Sequence, residues 1–584
     1  MQCKQICAGA LAALAMWPAA AGVQWYAVDP MGERPYMPDK APEGGREGAP
    51  LRMVAARGEY EPCSFVLVAD QDMGKVRIEP GDLRNEKGET FPKGRFDVKT
   101  VKVWYQAGNA WTSYFADPKL RLIPELLLND EDLIKVDTKK GWNYARLTEK
   151  DGTVRYHWLN PPRQVDCRNE DGGDQKEAFF CMRPNFCDAK THQGATLRKG
   201  EYKQFFLTAE VGKDVKPGLY RGEVKVKGEG EQWTIPLVLR VLDFELPRPM
   251  CYFDTGKEFV TWFCEDVSVN TFVQCNGNDK ALAERQVVAV LKDFRRHNET
   301  MANYGDKVEH PELGREAGME FPANVFTVGT YLGEKAEMRY QARRSKEDLT
   351  RKFGWKPFIV SWGDEYGLPI LRGIRDMIRI YHDEGFRFAL NSNYGYQVAG
   401  YLSDLWWPPR DPDHHSAAET FKFNQLGGDG YFAWYASHHV GVENPAFCRR
   451  QYGFGPYRAG LSGNFNYEHN LREWNDLRNQ YRAMSFVYGS GDGCIDTISW
   501  EGFREGIDDI RYATLLKQLA EPLVKGTTEQ RYAAKKALQL LADADGDDMD
   551  LTTLRLEMIE HIKRLSGLAV KRSSGSAVKA GGAK

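Results

Sequence analysis

The rhythm of apolar positions changes once along the chain, near Pro247. Before it, alternation with a period of two prevails. Phe65-Val66-Leu67-Val68 reads as a buried strand, and Phe96 to Tyr105 alternates through Val98, Thr100, Lys102 and Trp104. The clearest hairpin is Tyr220 to Leu242. Val224 and Val226 alternate with charged neighbours, Gly228 to Gly230 turns, and Trp233, Ile235, Leu237, Leu239 and Val241 alternate on the return. This spacing, with few helical runs, predicts a β-sandwich over residues 22–247. A Pro- and Gly-rich lead-in, Val23 to Pro50, enters it. A long polar excursion, about 106–203, interrupts it and carries Trp111, Tyr114, Trp142, Tyr156 and Trp158. Two readings of that excursion stand: it lines a cleft on the neighbouring domain, or its aromatics cover the sandwich.

Asp243 to Pro249 holds two prolines that end the last strand and stiffen the junction. Beyond it strands and helices alternate. The expected strands are Cys251 to Thr255, Thr271 to Cys275, Met301 to Tyr304, Phe358 to Gly363, Phe386 to Asn391 and Gly430 to Tyr435, with others near Leu461 to Tyr467 and Ser485 to Thr497. A helix is expected over Lys280 to His297. The pattern predicts a (β/α)8 TIM-like barrel over residues 248–520. An open doubly wound sheet is the fallback, but no GxGxxG or P-loop pattern supports a nucleotide site. Helices are expected at Glu501 to Leu519, and C-terminal helices over residues 521–567, at Thr528 to Asp543 and Leu551 to Leu565. Residues 568–584, rich in Ser, Gly, Ala and Lys, read as a disordered tail.

One unit of the second domain draws the chemistry. Phe358 to Val360 is a short apolar run, followed by Trp362-Gly363-Asp364-Glu365-Tyr366-Gly367. Ile370, Leu371, Ile374, Met377, Ile378 and Tyr381 then recur at helical spacing, and Gly385 stops that helix. This is a βαβ unit with two adjacent carboxylates at the carboxyl end of its first strand, where parallel α/β folds do chemistry. In a regular strand the two side chains would point to opposite faces. The flanking glycines allow a turn that brings both into one pocket. There the two groups could not ionise equally, and the pair would divide into a charged stabiliser and a general acid. The bland alternative is that Asp364 caps the next helix and Glu365 is solvated.

Composition narrows the partners. The 584 residues suit two domains, with 42% hydrophobic residues for their cores. A net charge of −3 gives no footprint for nucleic acid or an anionic membrane. The 15 Trp among 12% aromatics suit sugar rings as well as cores. Residues 1–21 read as a signal peptide: Lys4, an apolar core from Ala8 to Trp17, then Ala19, Ala20 and Ala21. That core is too short for a membrane span, and no later stretch is long enough. A secreted or periplasmic protein is expected. Of the 11 Cys, Cys3 and Cys7 fall in the leader. Cys167, Cys181 and Cys187 lie where a disulfide would help, and Cys63, Cys251, Cys264, Cys275, Cys448 and Cys494 read as small buried residues. No CxxC pair argues for zinc. His414-His415 and His438-His439 read as surface loops, so no metal and no cofactor is expected.

Four segments, in order, carry a resemblance. They are Pro217-Gly218-Leu219-Tyr220-Arg221-Gly222, then Asp243-Phe244-Glu245-Leu246-Pro247, then Asp364-Glu365. The last is Glu501-Gly502-Phe503-Arg504-Glu505-Gly506-Ile507-Asp508-Asp509-Ile510-Arg511-Tyr512. Across Leu51 to Leu519 the chain resembles glycoside hydrolase family 123 and the related uncharacterised domain family of the same architecture. The resemblance implies a β-sandwich followed by a (β/α)8 barrel and β-N-acetylgalactosaminidase activity assisted by the substrate's own 2-acetamido group. Carried over, Asp364 would orient and polarise the acetamido group. Glu365 would protonate the leaving oxygen and then act as base for water. Tyr366 follows the pair where Pro is expected, and the long excursion is an addition.

Further candidates come from the other strand ends. Trp362, Asn391, Asn393 and Tyr394 would face the same mouth, Trp434 and Tyr435 could stack under a sugar, and Trp500 is a weaker candidate. Each has a structural alternative as loop cap or packed rim. Glu501, Arg504, Asp508 and Arg511 have helical salt-bridge spacing. A two-carboxylate glycosidase would instead use Asp254 or Glu501 as nucleophile, and a carbohydrate-binding protein without catalysis is the third reading. Asn298-Glu299-Thr300 matches a glycosylation sequon. A glycan is the expected substrate; oligomeric state is not readable from the sequence.

Overall fold

The computed structural model describes residues 22–107, 119–159, 184–263, 267–299, 310–322, 325–328, 330–356, 358–361, 368–391, 405–407, 431–436, 444–466, 469, 474, 486–545 and 549–579. The first part is two packed sheets. One runs Arg46–Glu47, Val23–Val28, Glu59–Ala69, Lys203–Val211, Phe96–Gln106, Arg121–Leu128, with every neighbouring pair antiparallel. The other is built around the hairpin Gly218–Lys227 and Gln232–Glu245, with Leu51–Arg57 parallel to its second strand. The alternating residues do what their period demands. Val224, Val226, Ile235, Leu237 and Leu239 from one sheet meet Phe65, Leu67, Phe205 and Leu207 from the other in one buried core. The hairpin turns at Gly230, whose φ of 77° is open to glycine at no steric cost.

The described parts of the polar excursion are folded. Arg121–Leu128 joins the first sheet, and Ile134–Asp137, Trp142–Thr148 and Val154–Trp158 form a small antiparallel sheet. Its core does not belong to the sandwich alone. Trp104, Leu126, Leu133, Ala145 and Leu147 pack with Phe186, Trp474, Tyr488 and Ile495, the last three from the second domain.

Among the described residues the main sheet of the second domain has seven strands, all parallel, in the order Val260–Phe263, Gly463–Asn466, Tyr431–Ala436, Leu405–Trp407, Arg387–Asn391, Ile359–Ser361, Phe326–Val328. The first strand in sequence thus pairs with the last, and the others follow in chain order. Among the described residues this sheet is an open arc, not a closed barrel. The expected strand at Met301 to Tyr304 lies outside the described residues.

Several expected elements differ. Thr271 to Cys275 is not a strand but part of the helix Val269–Cys275; Ser268 caps it, its Oγ accepting from the Thr271 N–H at 3.2 Å. Cys251 to Thr255 forms no strand, and the chain instead pairs at Val260–Phe263, where the apolar run continues. Where strands were expected near Ser485 to Thr497 the chain forms an antiparallel hairpin, Val487–Ser490 with Gly493–Asp496. The closing helix is longer than its motif, Ile498–Leu523, because Thr497 caps it three residues before Trp500. The last helix, Leu551–Lys579, carries into the stretch expected to be disordered. No helix among the described residues is long and apolar enough to cross a membrane.

Candidate active site

All seven parallel strands end at one edge, and the register says which positions share which face there. Thr261 is level with Asn464 and Asn464 with Trp434, so these positions lie on one face of the sheet. Helices cover that face. Asn464 donates to the Tyr452 carbonyl, and the Tyr452 hydroxyl donates to Asn466 at 3.2 Å. Phe388 and Tyr381 pack there with ring centres 6.3 Å apart. The intervening positions face the other way. Trp262 is level with Phe465 and Phe465 with Tyr435. Asn391 is level with Trp407, in step with Leu405 and Tyr431. Positions 391 and 435 therefore share the face away from the helices, and position 434 does not.

The sequence candidates now divide. Asn391 ends its strand, and Trp434 and Tyr435 lie near the end of theirs. Trp362, Asp364, Glu365, Asn393 and Tyr394 lie outside the described residues, as do His414, His415, His438 and His439. In sequence the Asp-Glu pair falls between the strand Ile359–Ser361 and the helix Leu368–Gly373. Trp500 is fully buried; its indole N–H donates to Asp293 Oδ2 at 2.9 Å and its ring stacks on His297 and Phe503. It is a core residue rather than an open sugar platform.

The two alternative nucleophiles are otherwise engaged. Asp254 is an exposed turn residue accepting from the Gly256 N–H at 2.9 Å. Glu501 is buried and ion-paired with Arg504. Burial alone would raise its pKa, but Arg504 and His297 outweigh burial and hold the carboxyl below its ordinary range. A carboxylate held this way is a structural charge. Asn298, in the sequon, donates to Asp508 at 3.0 Å and accepts from Arg511.

Described parts of the excursion pack against the second domain, while its Trp142 and Trp158 stack on each other. Glu125, fully buried, accepts from the Trp104 indole at 2.5 Å, from Gln106 at 2.7 Å and from the Tyr488 hydroxyl at 2.7 Å. Trp474, which follows the last parallel strand in sequence, donates from its indole to the Gly489 carbonyl at 2.9 Å and packs on Phe186 and Trp104. The excursion thus meets Trp474 and the hairpin that follows it. Glu125 was legible only as a lone carboxylate in an otherwise apolar strand, Arg121–Leu128, a sign of a satisfied buried acid. Asp293, His297 and His469 carry no sequence signal of their own.

No protein-family model matches the chain, and no curated protein matches it in sequence. Its fold does match. A family 123 glycoside hydrolase from Clostridium perfringens, solved for glycolipid glycan hydrolysis, aligns at a TM-score of 0.58 and 12% identity. The match covers 90% of this chain and 95% of that one. The expected resemblance is therefore present as a likeness of fold running through both domains. A β-glucuronidase from Parabacteroides merdae gives a TM-score of 0.29 at 10% identity, over 76% of this chain and 67% of that one. A family 20 exo-β-N-acetylglucosaminidase from Vibrio harveyi gives 0.22 at 7%, over 89% and 98%. Neither overlap bears on the argument.

Proposed function

We propose that this chain is an exported glycoside hydrolase that removes terminal β-linked 2-acetamido sugars, galactosaminides first, with help from the substrate's own acetamido oxygen. The observation that carries this reading is the end-to-end likeness to a family 123 glycoside hydrolase, joined to the position of Asp364-Glu365 in sequence just past a parallel strand. The strand order supports a barrel: a first strand beside the last is what a wound sheet gives when one strand is missing from the arc. In this reading Met301 to Tyr304 is the strand that closes it.

Asp364 then orients the acetamido nitrogen and sharpens its oxygen as nucleophile. Glu365 protonates the glycosidic oxygen and afterwards deprotonates water. No protein nucleophile is required, so both carboxylates can come from one strand end. The engagement of Glu501 in ion pairs and of Asp254 in an exposed turn favours this scheme over a two-carboxylate one. Asn391 and Tyr435 are the strand-end residues we assign to the sugar. The test is a panel of chromogenic glycosides with and without the 2-acetamido group, on wild type, Asp364→Asn and Glu365→Gln. Turnover confined to acetamido substrates, and cut at least about 100-fold in each variant, supports the proposal. Equal hydrolysis of plain β-galactosides removes the assisted mechanism; glycan binding without any hydrolysis removes the enzyme.

A further inference from the structure

Away from the carboxyl edge, the last helix meets one end of the sandwich and leaves a cavity of about 510 Å³. A volume of this order holds a drug-sized molecule. The proposed hydrolysis does not use it. Val28, Met31, Leu51, Val54, Pro62 and Ile559 give it apolar walls. Its charged groups divide by depth. Arg46, Arg52 and Asp29 are exposed at the mouth. Glu61, Glu505, Arg449 and Arg555 lie inside, the Glu505 side chain only 3% exposed.

The inner end holds more acid than its bases satisfy. Arg449 gives its hydrogen bonds to Asp509 and Thr552. Arg555 gives its own to Asp509, to Glu505 Oε2 and to the Glu505 carbonyl. Glu59, Glu61, Glu505 and Asp509 thus share two guanidinium groups. Glu61 Oε2 is left without a hydrogen bond, 3.5 Å from Arg555 Nη1. Glu505 Oε1 has none either and lies 3.6 Å from Arg504 Nε. Burial, with Glu505 and Glu59 beside it, lifts the Glu61 carboxyl well above its ordinary range against the pull of Arg555 and Arg449. An acid placed this way gains from a cationic donor brought into the cavity. At the mouth the balance reverses. Arg46 and Arg52 pair with no carboxylate among the described residues, and Asp29 accepts from the Met31 N–H at 2.9 Å.

We infer that this cavity binds a small amphiphilic zwitterion of the dipeptide or tripeptide kind. Its ammonium meets Glu61, its apolar side chains meet the walls, and its carboxylate meets Arg46 and Arg52. A cationic donor inside, hydrocarbon between and an anion outside match the lining from end to end. A neutral sugar would satisfy the inner acceptors alone. On binding, the O–H bond of the Glu61 carboxyl breaks and the proton leaves to solvent. The ligand's N–H groups then donate to the carboxylate; no covalent bond to the ligand forms and no electron moves. Because sandwich, closing helix and last helix all line the cavity, the ligand would tie the three together. The inference does not depend on the glycosidase reading.

The test titrates the full chain with leucyl-leucine by calorimetry, in two buffers of different ionisation enthalpy. Expected are one dipeptide per chain, saturable binding, a raised Tm and proton release to the buffer. N-acetyl-leucyl-leucine, which lacks the ammonium, and leucyl-leucinamide, which lacks the carboxylate, should each bind at least about 10-fold more weakly. Glu61→Gln keeps the shape of the protonated acid. It should weaken leucyl-leucine at least about 10-fold and abolish the proton release, with an unchanged circular dichroism spectrum. Arg52→Ala, at an exposed position, should weaken leucyl-leucine but not leucyl-leucinamide. No saturable binding to wild type, equal binding of the N-acetyl peptide, or binding unchanged in both variants overturns the inference. Saturable binding of N-acetylgalactosamine in place of the dipeptide also overturns it, and would make the cavity a second sugar site.

Discussion

Arg555 donates from Nε to Asp509 Oδ1 at 2.7 Å, joining the last helix to the closing helix inside the protein. The same carboxylate takes two bonds from Arg449, at 2.7 and 3.0 Å, so one anion holds two buried guanidinium groups. Arg555 also bonds Glu505 at 2.7 Å and approaches Glu59 and Glu61 of the sandwich at 3.7 and 3.5 Å. Removing one partner of such a set strands the rest in a low dielectric, at a cost of about 3–5 kcal/mol. Asp509→Asn should therefore lower the unfolding free energy by that amount, read as a lower urea midpoint with an unchanged m-value. A loss under about 1 kcal/mol would show that water reaches the cluster.

Gly502 and Gly506 explain the other half of the closing motif. They stand one helical turn apart and so share a face. A Cβ on Gly506 would lie 2.5 Å from the Arg449 carbonyl oxygen, and one on Gly502 would lie 2.3 Å from that of Pro445. Both obstacles are backbone, which cannot rotate aside. Gly506→Ala should cost at least about 1–3 kcal/mol, although alanine is the better helix former. A neutral or stabilising effect in thermal unfolding would mean that the closing helix and the helix Pro445–Arg449 do not pack this closely.

These two cases show where sequence reading reached and where it stopped. Glu501–Arg504 and Asp508–Arg511 pair as their spacing required, because i,i+3 contacts are local. That Tyr512 would donate to Glu59 at 2.8 Å, and Arg511 to the Pro247 carbonyl at 3.0 Å, was not readable, because nothing local encodes a partner hundreds of residues away. The sandwich hairpin was legible because a period of two leaves no choice of face. Thr271 to Cys275 was misread because its β-branched residues hid a helix whose start is set by Ser268. At the carboxyl edge the strands were legible as apolar runs, but which of positions 434 and 435 falls on the face away from the helices depended on register, which the runs do not carry.

Stability should fall as pH rises. Burial alone would lower the His297 pKa, but Asp293 and Glu501 outweigh it and lift it from 6.5 to about 9. A proton held more tightly in the folded state stabilises fully below pH 6.5 and is lost as pH climbs through about 9. Burial, with Asp293 beside it, lifts Asp496 from 3.8 to about 7, and burial, with Asp508 beside it, lifts Glu59 from 4.5 to about 8; both act with the same sign. Each proton is worth roughly 1.4 kcal/mol per pH unit across its window. The protein should thus unfold at lower urea at pH 9 than at pH 6.5. His297→Gln should flatten the upper part of that decline. A stability that rises over this range would contradict the protonation of all three groups.

The register at the carboxyl edge makes the last prediction. Position 434 is level with Asn464, on the face covered by the helical segment around Tyr452, while position 435 is level with Phe465 and shares its face with Trp262. If a sugar sits at this edge, position 435 lies on the face that would meet it and position 434 on the face the helices cover. Tyr435→Ala should then cut kcat/KM on an acetamido glycoside at least about 10-fold, the scale of a lost stacking contact, with little change in Tm. Trp434→Ala should do the reverse, costing about 3–5 kcal/mol of stability while the surviving folded enzyme keeps its KM. The opposite pattern, activity lost at 434 and stability lost at 435, would mean that substrate approaches from the helix side of the sheet, and the proposed catalytic edge would have to be abandoned.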